Sequence, residues 1–168
     1  WAIEQDKHPV AIRVPNMEVV STGVAVEANF DELNKYVMVE EGKDVAIIGL
    51  GSFFHLGKKV QKRLRNTGIN ATLINPRFIT GVDEDLLNEL KENHKVVITL
   101  EDGILDGGFG EKIARFYGNS QMRVLNFGAT KEFTDSVELD VLYERYHLTE
   151  ELIVEDIEKV LADIKVFA

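Results

Sequence analysis

KVVITLEDGILDGGFGEK, residues 95 to 112, holds the key to the fold. Val96-Val97-Ile98-Thr99-Leu100 is a continuous apolar run rich in β-branched residues, as a strand covered on both faces would be. It ends in two acids, Glu101 and Asp102. Three glycines in four positions follow, Gly107, Gly108 and Gly110, and a helical pattern opens behind them. The stretch therefore reads as a buried strand, a tight loop that exposes its backbone, and a helix N-terminus. In open α/β sheets such loops lie at the carboxyl edge of the strands, where sites and interfaces are built.

Downstream, Ile113, Ala114, Phe116 and Tyr117 continue that helix to Gly118, and residues 122–127 form the last strand. Two helices are predicted over 137–147 and 149–165. Thr149 caps the second, which carries an apolar stripe of Ile153, Ile157, Val160, Leu161 and Ile164. Upstream, residues 71–75 are a strand broken by Pro76, and Asp83 caps a helix bearing Leu86, Leu87 and Leu90. Further upstream, Leu56, Val60 and Leu64 mark a helix that ends at Gly68. Its outward positions are Lys58, Lys59, Lys62, Arg63 and Arg65, and Ser52 stands where it would cap. From residue 44 onward, strands and helices alternate, which implies right-handed crossovers and a mainly parallel sheet.

Glu41-Gly42-Lys43 separates two β-rich runs, 36–40 and 44–50. That is a hairpin signal, so the first run should pair antiparallel to the second. The expected class is α/β, three layers, with a mostly parallel sheet and one antiparallel edge strand. At the other end of the reading, residues 1–8 look like the tail of a helix. Pro9 to Pro15 read as a short strand bounded by prolines. Residues 16–34 show no clear period.

The 168 residues suffice for one domain with appendages, and 45% are hydrophobic. There is no cysteine, hence no disulfide framework and no thiolate nucleophile. This suits a reducing compartment, and the cytoplasm is the expected location. No apolar run reaches membrane-spanning length. A net charge of −10 argues against non-specific binding to nucleic acid.

Candidate chemistry is sparse. The amides behind Gly107, Gly108 and Gly110 could hold a phosphate or carboxylate, but Asp102 and Asp106 would repel it. A tight turn packed on another domain or subunit is the commoner use of such glycines. Glu101 and Asp102 point to opposite faces of an extended chain, so at most one enters a given cleft. Asp102-Gly103 also reads as a turn. A structural role is favoured for the acids, with Glu101 as an interface contact. Arg77, at the carboxyl end of a strand, could grip an anion or pair with one of the many acids. The four histidines, His8, His55, His94 and His147, show no metal-ligand spacing, and His94 trims a helix end. Ser52 lacks a nucleophile elbow. No complete catalytic constellation exists, which suits a module that helps an active site formed elsewhere. A free-standing anion-binding or regulatory module is the alternative.

Four stretches together carry a resemblance. Residues 9–15 are similar to a P-x-A-x-R-Y-P-R-G strand end, and 44–51 to a first parallel strand. Residues 76–84 resemble an x-R-F-x-x-P-L-D-E signature, and 99–110 a T-x-E-E-x-x-x-G-G-F-G signature. Residues 9–161 thus resemble the carboxyl-terminal part of the 1-deoxy-D-xylulose-5-phosphate synthases, thiamine-diphosphate enzymes of the transketolase type. The resemblance implies a larger enzyme that condenses pyruvate with glyceraldehyde 3-phosphate for isoprenoid precursors. It implies that thiamine diphosphate and Mg²⁺ are bound by two other domains, with none expected in this fragment. It also implies that the third domain supports a homodimer and borders the substrate channel, with no catalytic residue of its own. Residues 1–20 would be the tail of a pyrimidine-binding domain, 21–35 a linker, and 36–168 the third domain. Interface positions would be Glu101, Gly107, Gly108 and Gly110.

The departures bear on the acceptor. Arg13 matches the first arginine of the family's substrate-binding pair, but Asn16 stands for the second, which is implied to bind phosphate. Val14 replaces Tyr, Gly81-Val82 replaces Pro-Leu, and residues 128–134 replace a G-L-P-D-x-F-I motif. A charge-assisted contact to phosphate is lost with that arginine. A transketolase-like relative with another acceptor is therefore a further reading.

Overall fold

The computed structural model describes residues 1–14 and 29–166, with side chains to residue 164. Val45, Ala46, Ile47 and Ile48 are wholly shielded from solvent. A strand so covered needs partners on both edges and helices on both faces. It has both. This strand, β2 (Asp44–Gly49), is central in a five-stranded sheet of order β1-β3-β2-β4-β5. The others are β1 (Val37–Glu40), β3 (Thr72–Asn75), β4 (His94–Ile104) and β5 (Arg123–Ala129). β3 and β4 flank β2 in parallel, β5 extends β4 in parallel, and β1 alone is antiparallel.

Alternation along the strands divides the core in two. Val45, Ile47, Ile98 and Leu100 face α1 (Phe53–Asn66) and α5 (Glu150–Val166). Tyr143 of α4 (Leu139–Arg145) packs on the same side. Ala46, Ile48, Ile74 and Val97 face α2 (Glu84–Asn93) and α3 (Phe109–Tyr117). The fold is thus α/β in three layers, as the strand and helix alternation requires.

The antiparallel strand pairs elsewhere than the hairpin signal suggests. β1 lies on β3, with Val37 opposite Asn75, and β2 takes the other edge of β3. The three residues 41–43 therefore carry the chain across the amino end of β3. The reason is burial: both edges of β2 are claimed by apolar parallel partners, while half-exposed β1 suits a rim. The crossing is close. A Cβ on Gly42 would lie 2.1 Å from the Asn70 carbonyl oxygen, and the Lys43 amide donates to that oxygen at 2.8 Å.

A relay of hydrogen bonds locks this crossing to α2. The Gly42 amide donates to Thr72 Oγ1 at 2.8 Å, and Thr72 Oγ1 meets His94 Nε2 at 2.8 Å. His94 Nδ1 lies 3.1 Å from the Leu90 carbonyl oxygen, so Nδ1 carries the proton and Nε2 accepts from the threonine hydroxyl. Burial holds the His94 pKa below its ordinary 6.5, against the pull of the Leu90 carbonyl and nearby Asp44. Below pH 6.5 the unfolded chain therefore takes up a proton that the folded chain resists, and stability falls with pH. Urea unfolding from pH 7.5 to 5 should show this loss, and His94→Asn should flatten it; an unchanged slope in the variant rejects the role.

Helix ends follow mixed rules. Asp83 caps α2, accepting the Leu86 amide at 3.3 Å, and Thr149 accepts the Leu152 amide at 3.4 Å. Gly68 at φ +88° turns the chain after α1 as the sequence suggests. Ser52 makes no side-chain cap. It is already in the helical region, and Phe53, Phe54 and His55 donate backward to Leu50, Gly51 and Ser52 carbonyls. Those tight turns leave the hydroxyl no role at the cap.

The chain divides into two compact units, 1–33 and 34–168. In the first, the Trp1 indole donates to Asp31 at 2.7 Å and stacks edge-on against Phe30. The expected helix tail is a single turn, with Glu4 and Gln5 amides bonded to the Trp1 carbonyl. Residues 9–14 form no strand, because no partner strand is offered to them among the described residues. Pro15, Asn16 and most of the expected linker lie outside the described residues.

Candidate functional site

β4 delivers the glycine loop to the carboxyl edge, but not by stopping at Leu100. The strand continues to Ile104, with its register to β5 shifting between Leu100 and Ile104. Asp102-Gly103 is therefore part of this irregular extension rather than a turn. Leu105 donates to the Ala129 carbonyl at 2.9 Å, and the chain turns only after it.

The irregularity aims the two acids apart. Asp102 is exposed, while Glu101 is only 3% exposed. The Glu101 carboxylate sits on the amino end of α3. Its Oε2 accepts the Phe109 amide and its Oε1 the Gly110 amide, each at 2.8 Å. These are two of the donors that a helix start leaves without partners, and the positive helix end favours the charge. The anion expected at these amides is thus a carboxylate from the same chain.

The glycines make this seat possible, each for its own reason. Gly107 has φ +73°, and its amide donates to Glu111 at 2.9 Å, so Glu111 reaches back over the loop as in a capping box. Gly108 has an ordinary φ of −73°, but a Cβ there would lie 2.8 Å from both Glu101 oxygens. A Cβ on Gly110 would lie 2.6 Å from Thr99 Oγ1, because α3 is pressed onto the sheet. Thr99 in turn donates to Asn126 of β5 at 2.8 Å. Thr99, Asn126 and Gly128 complete the seat. Sequence reasoning missed them because each looks like an ordinary strand residue.

A second cluster forms at the carboxyl end of β3. Arg77 donates from Nε and Nη2 to the Lys35 carbonyl at 3.1 and 2.8 Å, at a backbone φ of +58°. It pins the approach to β1 instead of taking an anion there. Asp83 accepts the Tyr36 amide at 3.0 Å and Lys35 Nζ at 3.3 Å. Burial raises the Asp83 pKa, but these bonds outweigh it and hold the carboxyl below its usual value.

The remaining candidates stay apart. Arg13 lies in the first unit and is exposed, and Asn16 lies outside the described residues. His147 meets Asp156 at 2.7 Å beside a shallow hollow of about 360 Å³ between β5 and α5. Among the described residues no group of three or more acidic or histidine side chains is placed to hold a metal ion, and no helix is long and apolar enough to cross a membrane.

Known proteins match this arrangement. Residues 34–153 match the family model described as Transketolase, C-terminal domain. The chain is 32% identical over 163 residues to a 1-deoxy-D-xylulose-5-phosphate synthase of Clostridium tetani, spanning 96% of this chain and 26% of that protein. It is 33% identical over 161 residues to the enzyme of the same name from Alkaliphilus oremlandii, spanning 93% and 25%. The chain therefore spans about a quarter of the length of these curated relatives. Among solved structures, a split-gene transketolase described as an inactive β4 tetramer superposes with a TM-score of 0.71 at 27% identity, over 87% of this chain and 46% of that one. A Pichia stipitis transketolase in complex with sedoheptulose 7-phosphate shares the fold, with a TM-score of 0.53 at 17% identity over 78% and 18%. The glycine seat and the four parallel strands that carry it, with the antiparallel β1 at the rim, lie within the matched region, and the chain belongs to the transketolase C-terminal domain family.

Proposed function

We propose that this chain is the carboxyl-terminal part of a thiamine-diphosphate-dependent transferase of the 1-deoxy-D-xylulose-5-phosphate synthase type. The whole enzyme condenses pyruvate with glyceraldehyde 3-phosphate, and other domains carry its thiamine diphosphate and Mg²⁺. This part supports a homodimer and borders the substrate channel with its carboxyl edge. Gly107, Gly108 and Gly110 form the rim that meets a neighbour, and buried Glu101 holds that rim from behind. Arg13 and Asn16 face the substrate in the assembled enzyme, with Asn16 tuning the acceptor.

One observation carries the reading: the amides that would bind a phosphate are filled by Glu101. An edge so filled is a surface and not a pocket. The described residues do not fit thiamine diphosphate with its metal, since they offer neither an open phosphate seat nor a cluster of carboxylates. Large apolar side chains stand out at the same edge: Ile104 ends β4, Phe133 follows β5 at 98% exposure, and Leu139 and Val141 begin α4. Exposed apolar groups gathered at one edge favour contact with a partner surface. The same filled seat weighs against a free-standing anion-binding module.

Two measurements test this. Titration calorimetry of the chain with thiamine diphosphate and Mg²⁺ should show no binding, and tight binding rejects the reading. A chimera carrying residues 34–168 in place of the last domain of the Clostridium tetani relative should turn over pyruvate and glyceraldehyde 3-phosphate. A folded, dimeric chimera without turnover rejects the assignment to that enzyme type.

A further inference from the structure

α1 is charged unlike the helices around it. It carries Lys58, Lys59, Lys62, Arg63 and Arg65 and no acid, in a chain with 29 acids against 19 lysines and arginines. α2 has four acids and one lysine over ten residues. At roughly 3.6 residues per turn the cations order around α1 as Arg65, Lys58, Lys62, Lys59, Arg63. All five are exposed. The two flanking arginines have acidic partners, Arg65 with Glu40 at 2.6 Å and Arg63 with Glu151 at 3.0 Å. The three lysines between them have none among the described residues; Lys58 lies only over the Phe54 ring, at 5.2 Å. Lys58 and Lys62, and Lys59 and Arg63, are like charges one turn apart, which weakens the helix itself.

From this arrangement we propose that the lysine ridge of α1 docks an acidic helical segment of a protein partner, with carboxylates spaced along one face. The ridge is one helix wide and walled by Glu40 and Glu151. Those walls and the chain's net charge of −10 repel the extended phosphate backbone of nucleic acid and a broad anionic membrane, whereas a single acidic helix fits between them. Opposite charges across the contact relieve the repulsion along α1 and speed encounter. The inference stands on α1 alone and does not depend on the proposed reaction.

The test uses an alanine-based helical peptide with glutamates along one face, followed by fluorescence anisotropy against the whole chain. Binding should be seen at low salt and fade as salt rises. Lys58→Gln, Lys59→Gln and Lys62→Gln combined should weaken it about tenfold, at roughly half a kcal/mol per contact. The same variant should keep or raise the Tm, because it removes repulsion and no internal bond. Lys131→Gln, exposed outside α1, should leave binding as it was. Absence of peptide binding at low salt overturns the proposal, as does equal binding by the triple variant. Tighter, lysine-dependent binding of duplex DNA or of phosphatidylserine vesicles than of the peptide also overturns it.

Discussion

Glu101→Ala should lower the unfolding free energy by about 3 kcal/mol, seen as a shifted urea midpoint at constant slope. The carboxylate is 3% exposed and satisfies two α3 amides at 2.8 Å. Its removal leaves both amides buried under the β4 extension with no acceptor and with little room for water. Hydrogen bonds to a charged group are among the stronger ones, and an unmet buried donor costs its full desolvation. For a chain of this size the loss corresponds to roughly 10 °C in Tm. Glu101→Gln should cost about half as much, since its one carbonyl can serve one amide while its NH₂ faces the other. A loss under about 0.5 kcal/mol in the alanine variant would mean the seat relaxes freely and contributes little.

Gly108→Asp should be at least as damaging, at about 4 kcal/mol, and for a different reason. The Gly108 backbone is ordinary, so no strain in φ is involved. The obstacle is space and charge: the new Cβ falls 2.7 Å from the Ile104 carbonyl oxygen and 2.8 Å from both Glu101 oxygens. A second carboxylate would then crowd the first inside one seat. Gly107→Ala makes the contrast. Nothing lies within 4 Å of its added Cβ, but φ is +73°. Its cost should be about 1 kcal/mol, the usual penalty of the left-handed region. Equal losses in the two variants, measured by urea unfolding, would show that loop conformation and not the packing on Glu101 governs this region.

Much of this architecture was written in local patterns. Apolar runs such as 45–48 and 96–100 declared buried parallel strands, Asp83 and Thr149 declared helix starts, and Gly68 declared a helix end. The choice of partner for β1 was not legible. A three-residue connection looks the same whether it folds back as a hairpin or steps over the end of a neighbour; only the burial of both β2 edges decides. Ser52 misled because its residue type suits a cap, while the preceding turn had already placed it inside the helix. At the candidate site the glycines and Glu101 stood out, yet their relation did not. The sequence places Glu101 and Gly110 nine positions apart, and a register shift within β4 brings the carboxylate onto the amides. Thr99, Asn126 and Gly128 gave no signal, since their importance comes from what α3 presses against.

The step of residues 41–43 over the amino end of β3 also fixes an order of events. β1 leaves the ribosome before every other strand of its sheet, but its only ladder partner is β3, some thirty residues later. Until Thr72–Asn75 emerge and settle beside β2, residues 37–40 have nothing to zip onto. Loop closure across that span must be met first, and the outermost strand completes the sheet last, despite its early synthesis.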